Sequence, residues 1–197
     1  IEKFGGETST VAGVISVWEA RSTRWEIQAH LAALVGGARK NFLHGTGYIG
    51  VPSEKGVAFA ALSSVLGSMK RIAEVATGVD DSLGVMVEGL DGRRTAILFS
   101  DGTPTIFCPL ATAAPVKGMD LLGNPVEFTP ADGGLFLTLS EDPLYLFDVP
   151  ADFHGATVIE PHLADLIVPG TPLQGELHLA NPLSLPIGVS LSAAVPP

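Results

Sequence analysis

Val14-Ile15-Ser16-Val17-Trp18-Glu19-Ala20-Arg21-Ser22-Thr23-Arg24-Trp25-Glu26 decides how the whole chain is read. Val14–Trp18 is a run of β-branched and aromatic residues long enough for a buried strand. Thr23 followed three residues later by Glu26 matches a capping box, in which hydroxyl and carboxylate each satisfy a backbone N–H at a helix start. Trp25, Ala29, Leu31 to Leu34 and Val35 then recur near helical spacing until Gly36-Gly37, a fitting stop. Lys40-Asn41-Phe42-Leu43-His44 reads as the next strand. Strand, helix and strand within about 30 residues predict a βαβ unit. Trp18, Glu19 and His44, with Tyr48 just beyond, then sit at the carboxyl ends of the strands, where such units carry their sites.

Moving outward, Ser53 and Glu54 predict a helix start after Pro52. Val57, Phe59, Leu62, Val65, Leu66, Met69 and Ile72 form an apolar face that Gly78 ends. From Leu83 the period drops to two. Asp91-Gly92 is a hairpin signal, because a type I′ turn needs positive φ at both central residues. Further strands are expected at 93–100, 105–108, 116–121, 126–128, 135–139 and 144–147, separated by turn residues every 8–12 positions. They predict an antiparallel sandwich over about 83–149. Residues 150–161 have linker composition, and 163–168, 173–180 and 187–191 predict three more strands. The expected fold is therefore mixed α/β: the last βα units of a (β/α)8 barrel over 1–78, an antiparallel β-sandwich over 79–150, and a short extra β-region over 151–197.

Composition narrows the function classes. Hydrophobic residues make up 46% of the 197, ample for real cores. A formal charge of −10 argues against nucleic acid or an anionic membrane as partner. No apolar run is long enough for a membrane-spanning helix. The single Cys108 permits no internal disulfide and reads as a small buried residue. The five histidines show no metal-ligand spacing, and no dinucleotide or phosphate-loop pattern occurs, so neither metal nor cofactor is expected.

Ile15-Ser16-Val17-Trp18-Glu19, then Glu26-Ile27-Gln28-Ala29-His30-Leu31, then a strand ending at His44, resembles the last two βα units of a clan-A (β/α)8 glycoside hydrolase. Asp120-Leu121-Leu122-Gly123-Asn124-Pro125-Val126 and Glu141-Asp142-Pro143-Leu144-Tyr145-Leu146 resemble the carboxyl-terminal β-domain of such enzymes. The tail resembles the start of an immunoglobulin-like module appended to secreted bacterial enzymes. The resemblance implies that Glu19 is the catalytic nucleophile and that Trp18, His44 and Tyr48 line the sugar subsite. Its acid/base partner belongs to the fourth barrel strand, expected upstream of Ile1. On that reading the chain is the carboxyl-terminal part of a secreted or cell-surface glycoside hydrolase-like protein acting on poly- or oligosaccharide. It would be inactive alone, packing on its upstream half or on another protein chain.

The same residues carry plainer readings. Glu19 suits a solvated carboxylate beside a helix amino terminus. Trp25 suits core packing as well as sugar stacking. His44 suits a structural role in a Gly-rich loop. The alternative function is a non-catalytic structural or adhesive protein of a cell surface, for which fifteen prolines and a mean hydropathy of +0.38 fit extensive protein–protein burial.

Overall fold

A computed structural model of the chain describes residues 8–38, 53–163, 175–183 and 186. Among the described residues, helix α1 (Thr8–Val35) and helix α2 (Glu54–Leu66) precede ten strands. These are β1 (Met69–Val75), β2 (Ser82–Gly89), β3 (Arg94–Ser100), β4 (Thr105–Pro109), β5 (Val116–Met119), β6 (Pro125–Phe128), β7 (Gly134–Thr138), β8 (Leu144–Phe147), β9 (Ala156–Leu163) and β10 (Gly175–Leu179). One sheet has six strands in the order β1-β2-β3-β8-β5-β6, and the other has four in the order β10-β9-β4-β7.

The expected barrel segment is overturned. Val14–Trp18 is helix, not strand, and every described strand pairing is antiparallel. The physical reason lies in what the stretch lacks. From Val14 to Val35 there is no Gly and no Pro, so nothing stops a helix from running through. Thr23 is consequently a buried residue inside α1 and not a cap. Thr23, Ile27 and Leu31, four apart, are fully buried and form the stripe that α1 turns inward. Trp25, about two residues off that stripe, is 68% exposed, which corrects the core-packing reading. The strand expected at Lys40–His44 lies outside the described residues.

Helix α2 begins where expected, with the Ser53 hydroxyl accepting from the Gly56 N–H at 3.1 Å. It ends at Leu66, earlier than the apolar spacing suggests, and Met69–Val75 is β1. The register with β2 shifts between Met69 and Arg71. This bulge makes Met69 and Ile72 pair with Gly89 and Val87, two apart, so both lie on one face. A spacing of three here imitates a helix.

The strands stack in layers. Val75, Met86, Ala96, Leu98 and Leu146 of the six-stranded sheet meet Ile106, Cys108, Leu135 and Leu137 of the four-stranded one. On the opposite face, Val85, Val87, Ile97, Phe99 and Tyr145 meet Ile27 and Leu31 of α1 and Ala58, Ala61 and Leu62 of α2. The alternation of neighbours along β2, β3 and β8 is the period of two of a strand. The order of layers is helices, six-stranded sheet, four-stranded sheet.

The connections follow turn chemistry. Between β2 and β3 the positive φ falls on Gly92 alone, not on Asp91 as well. Both central residues are left-handed at Asp132-Gly133 (φ 52° and 86°), where Ala131 and Gly134 exchange backbone hydrogen bonds. Strand β9 occupies residues expected to be linker and pairs with β4, so it extends the four-stranded sheet.

Candidate functional site

The helical layer is fastened to the sandwich by polar as well as apolar contacts. The Arg24 guanidinium on α1 reaches the loop before β8. Its Nε donates to Asp142, its Nη2 lies 3.3 Å from Asp142 Oδ2, and its Nη1 lies 3.4 Å from Glu141 Oε2. One helical turn on, Gln28 Nε2 donates to the Glu141 carbonyl at 2.9 Å. The Asp142 bond and the two carboxylates hold Arg24 protonated above its usual range. Glu141-Asp142-Pro143 thus acts as the receptor for α1.

Residues 120–124 form the turn between β5 and β6. Asp120 Oδ1 accepts from the N–H groups of Leu122 (2.9 Å) and Asn124 (2.8 Å), while Asn124 Nδ2 donates to Asp120 Oδ2 at 2.8 Å. Gly123 has φ of 84°, and a Cβ placed there would lie 3.3 Å from the Ala61 Cβ of α2. Pro125 then starts β6, the edge strand of the six-stranded sheet, where a missing N–H costs no ladder bond. Asp120, Gly123 and Asn124 are therefore used to lock the turn beneath α2.

Two surface clefts flank the six-stranded sheet. The first, about 270 Å³, lies between the end of α2 and the β2–β3 turn and includes Ser64, Ser68, Asp91, Arg93, Phe147 and Asp148 in its lining. Arg93 grips Asp148 with two bonds of 2.7 Å and lowers the carboxyl below its ordinary range, with partial burial opposing. The Asp91 carboxylate meanwhile accepts from the Arg93 N–H at 3.0 Å. A carboxyl held ionised by arginine is a poor proton donor at neutral pH, whereas glycoside hydrolysis needs one carboxyl kept protonated. The second cleft, about 280 Å³, is bordered by Arg71, Glu74, Glu88, Arg94 and Asp152. There Glu88 takes Lys70 at 3.0 Å and Arg94 at 3.7 Å. The first cleft thus holds the Arg93–Asp148 pair and the second the Glu88–Arg94 pair.

Three buried polar atoms, Glu26 Oε2, His30 Nδ1 and Tyr145 OH, have no hydrogen-bond partner among the described residues. The other Glu26 oxygen accepts from Lys55 on α2 at 2.5 Å, linking the two helices. His30 lies edge-on to Phe59 of α2, with ring centres 6.2 Å apart, and desolvation lowers its pKa. Burial pushes the Cys108 thiol up to about 12, which leaves it inert as a nucleophile. Among the described residues no group of three or more His, Cys, Asp or Glu side chains is placed to hold a metal ion.

Glu19 and Trp18 lie within α1, not at the end of a strand. His44 and Tyr48 lie outside the described residues. Sequence reasoning missed Arg24 and Lys55, whose helix-to-sheet and helix-to-helix ion pairs depend on a packing that local spacing does not reveal. Comparison of the chain with protein-family models, with curated proteins and with solved structures gave no match.

Proposed function

We propose that the chain is the bracing β-module of a secreted glycoside hydrolase-like protein that acts on poly- or oligosaccharide. The module contributes support and supplies no reacting group of its own from the described residues. One observation carries this reading. Asp120, Gly123 and Asn124, in the motif that resembles glycosidase β-domains, are committed to a locked turn pressed against α2. Arg24 holds α1 to the loop before β8 in the same sense. Such contacts suit a unit that holds helices against a rigid sheet. Carbohydrate would then be met by the protein to which the module belongs.

The test is hydrolysis of an aryl-glycoside panel by the full-length polypeptide, with and without Gly123→Val. The expected result is activity on at least one glycoside, with the variant shortening the thermal half-life and leaving kcat nearly unchanged. Inactivity on every sugar would contradict the reading.

A second reading, a non-catalytic structural or adhesive protein of a cell surface, has one observation of its own. Phe136, Leu177 and Leu179 of the four-stranded sheet are 41%, 40% and 44% exposed. Leu177 and Leu179 adjoin one another on β10, and Phe136 stands on β7 at the opposite edge of the sheet; an apolar pair on an open edge suits a contact surface.

A further inference from the structure

Strand β10, Gly175-Glu176-Leu177-His178-Leu179, is the end strand of the four-stranded sheet and pairs only with β9 among the described residues. All five of its residues are exposed. Natural edge strands are blunted by charged side chains, lysine above all, by proline, by a bulge or by a covering element, and here the one acid, Glu176, has an imidazole two residues away on the same face. This strand contains no lysine or proline, and its register with β9 is unbroken over all five positions. The register also sorts its side chains. Leu177 stands opposite Pro161 and Leu179 opposite Ile159, while Glu176 stands opposite His162 and His178 opposite Glu160. Leucines therefore occupy one face of the edge, and an acid and an imidazole occupy the other.

We propose that β10 pairs antiparallel with β10 of a second copy of this chain, about a twofold axis at Leu177. Two four-stranded sheets thereby join into one. The five-residue sequence is complementary to itself in this register alone. With Leu177 on the axis, Glu176 of each copy faces His178 of the other, twice, and Leu177 faces Leu177. Moving the axis to Glu176 sets carboxylate against carboxylate, and moving it to His178 sets imidazole against imidazole. Like charges directly opposite destabilise a strand pair, and opposite charges stabilise it. Both side chains are accessible, with 81% of Glu176 and 59% of His178 exposed. Within one copy they already lie 3.3 Å apart, so pairing would extend that contact into an alternating row across the axis. A twofold interface of this kind closes on itself and stops at two copies. The proposal does not depend on the glycoside hydrolase reading.

The test is sedimentation velocity on the full 197-residue chain at pH 6 over a hundredfold concentration range. Wild type is expected to shift from monomer to dimer. Glu176→His alone and His178→Glu alone each create two like-charged pairs and should weaken the dimer about tenfold. The double swap, Glu176→His with His178→Glu, restores opposite charges and should recover affinity to within about threefold. Leu177→Lys places two cations at the axis and should leave monomer only; unchanged circular dichroism shows that it still folds. A wild-type chain that stays monomeric throughout overturns the proposal, whether solvent or another segment of the same chain covers the edge. A dimer indifferent to the single swaps, or surviving Leu177→Lys, also overturns it.

Discussion

The six-stranded and four-stranded sheets differ in how many faces are covered, and that difference governs how their sequences read. Strand β3 is buried on every residue from Ala96 to Ser100, because helices lie over one face and the second sheet over the other. Strand β7 is almost as apolar, yet Leu135 and Leu137 are buried while Phe136 between them is 41% exposed. Phe136 finds partial cover from Phe107 on β4, with ring centres 4.9 Å apart. A continuous apolar run is therefore no signature of a parallel sheet. It signals two covered faces, which an antiparallel sheet also achieves when helices pack on it.

The largest expected effect separates the sheets directly. Ile97→Ala, beneath the helices, should cost about 3 kcal/mol of unfolding free energy, through lost burial and the cavity left behind. Phe136→Ala, on the outer face, should cost less than about 1.5 kcal/mol, since half its surface already meets water. Urea titration measures both, and equal losses would erase the distinction between the faces. Gly123→Val comes next. Its left-handed backbone disfavours a β-branched residue by about 1–2 kcal/mol, and the new side chain presses on Ala61. Calorimetry should show the lowered midpoint.

Arg24→Ala removes the polar fastening of α1. Arg24 is 31% exposed and its acidic partners about half exposed, so screening limits the expected loss to about 1 kcal/mol. The effect should shrink further in high salt, again by urea titration. The smallest effect is one of pH. Desolvation lowers the pKa of His30 below its ordinary value, so the unfolded chain binds its proton more readily than the folded one. Its contribution is complete above the unfolded imidazole pKa and is lost as pH falls through the folded value. The urea midpoint should thus decline from pH 7.5 to 5.5, and His30→Leu should flatten that decline.

Legibility in the sequence followed local constraint. Strands β2 to β8 could be read within a few residues because Asp91-Gly92, Gly123-Asn124-Pro125 and Asp132-Gly133 punctuate a period of two. Val14–Trp18 could not, because Val, Ile and Trp locally favour a strand, and only the stretch to Val35 without Gly or Pro overrides that preference. The bulge in β1 hid a strand behind a helical spacing. Pro161 made β9 look like linker, although it lies beyond the part of the strand that pairs with β4. At the candidate site, Ser53 was legible because its cap is local. Arg24, paired across 118 positions, was not.

The central claim is that the helices lie on the six-stranded sheet, with the β5–β6 turn beneath α2. An Ala61→Cys, Gly123→Cys variant tests it most directly, because a Cβ at Gly123 would stand 3.3 Å from that of Ala61, close to the separation a disulfide requires. Mild oxidation of the folded chain should give an intramolecular bond between the two positions, seen by peptide mass mapping, while buried Cys108 stays reduced. Two free, alkylatable thiols at 61 and 123 after oxidation of the folded chain would contradict the layered arrangement.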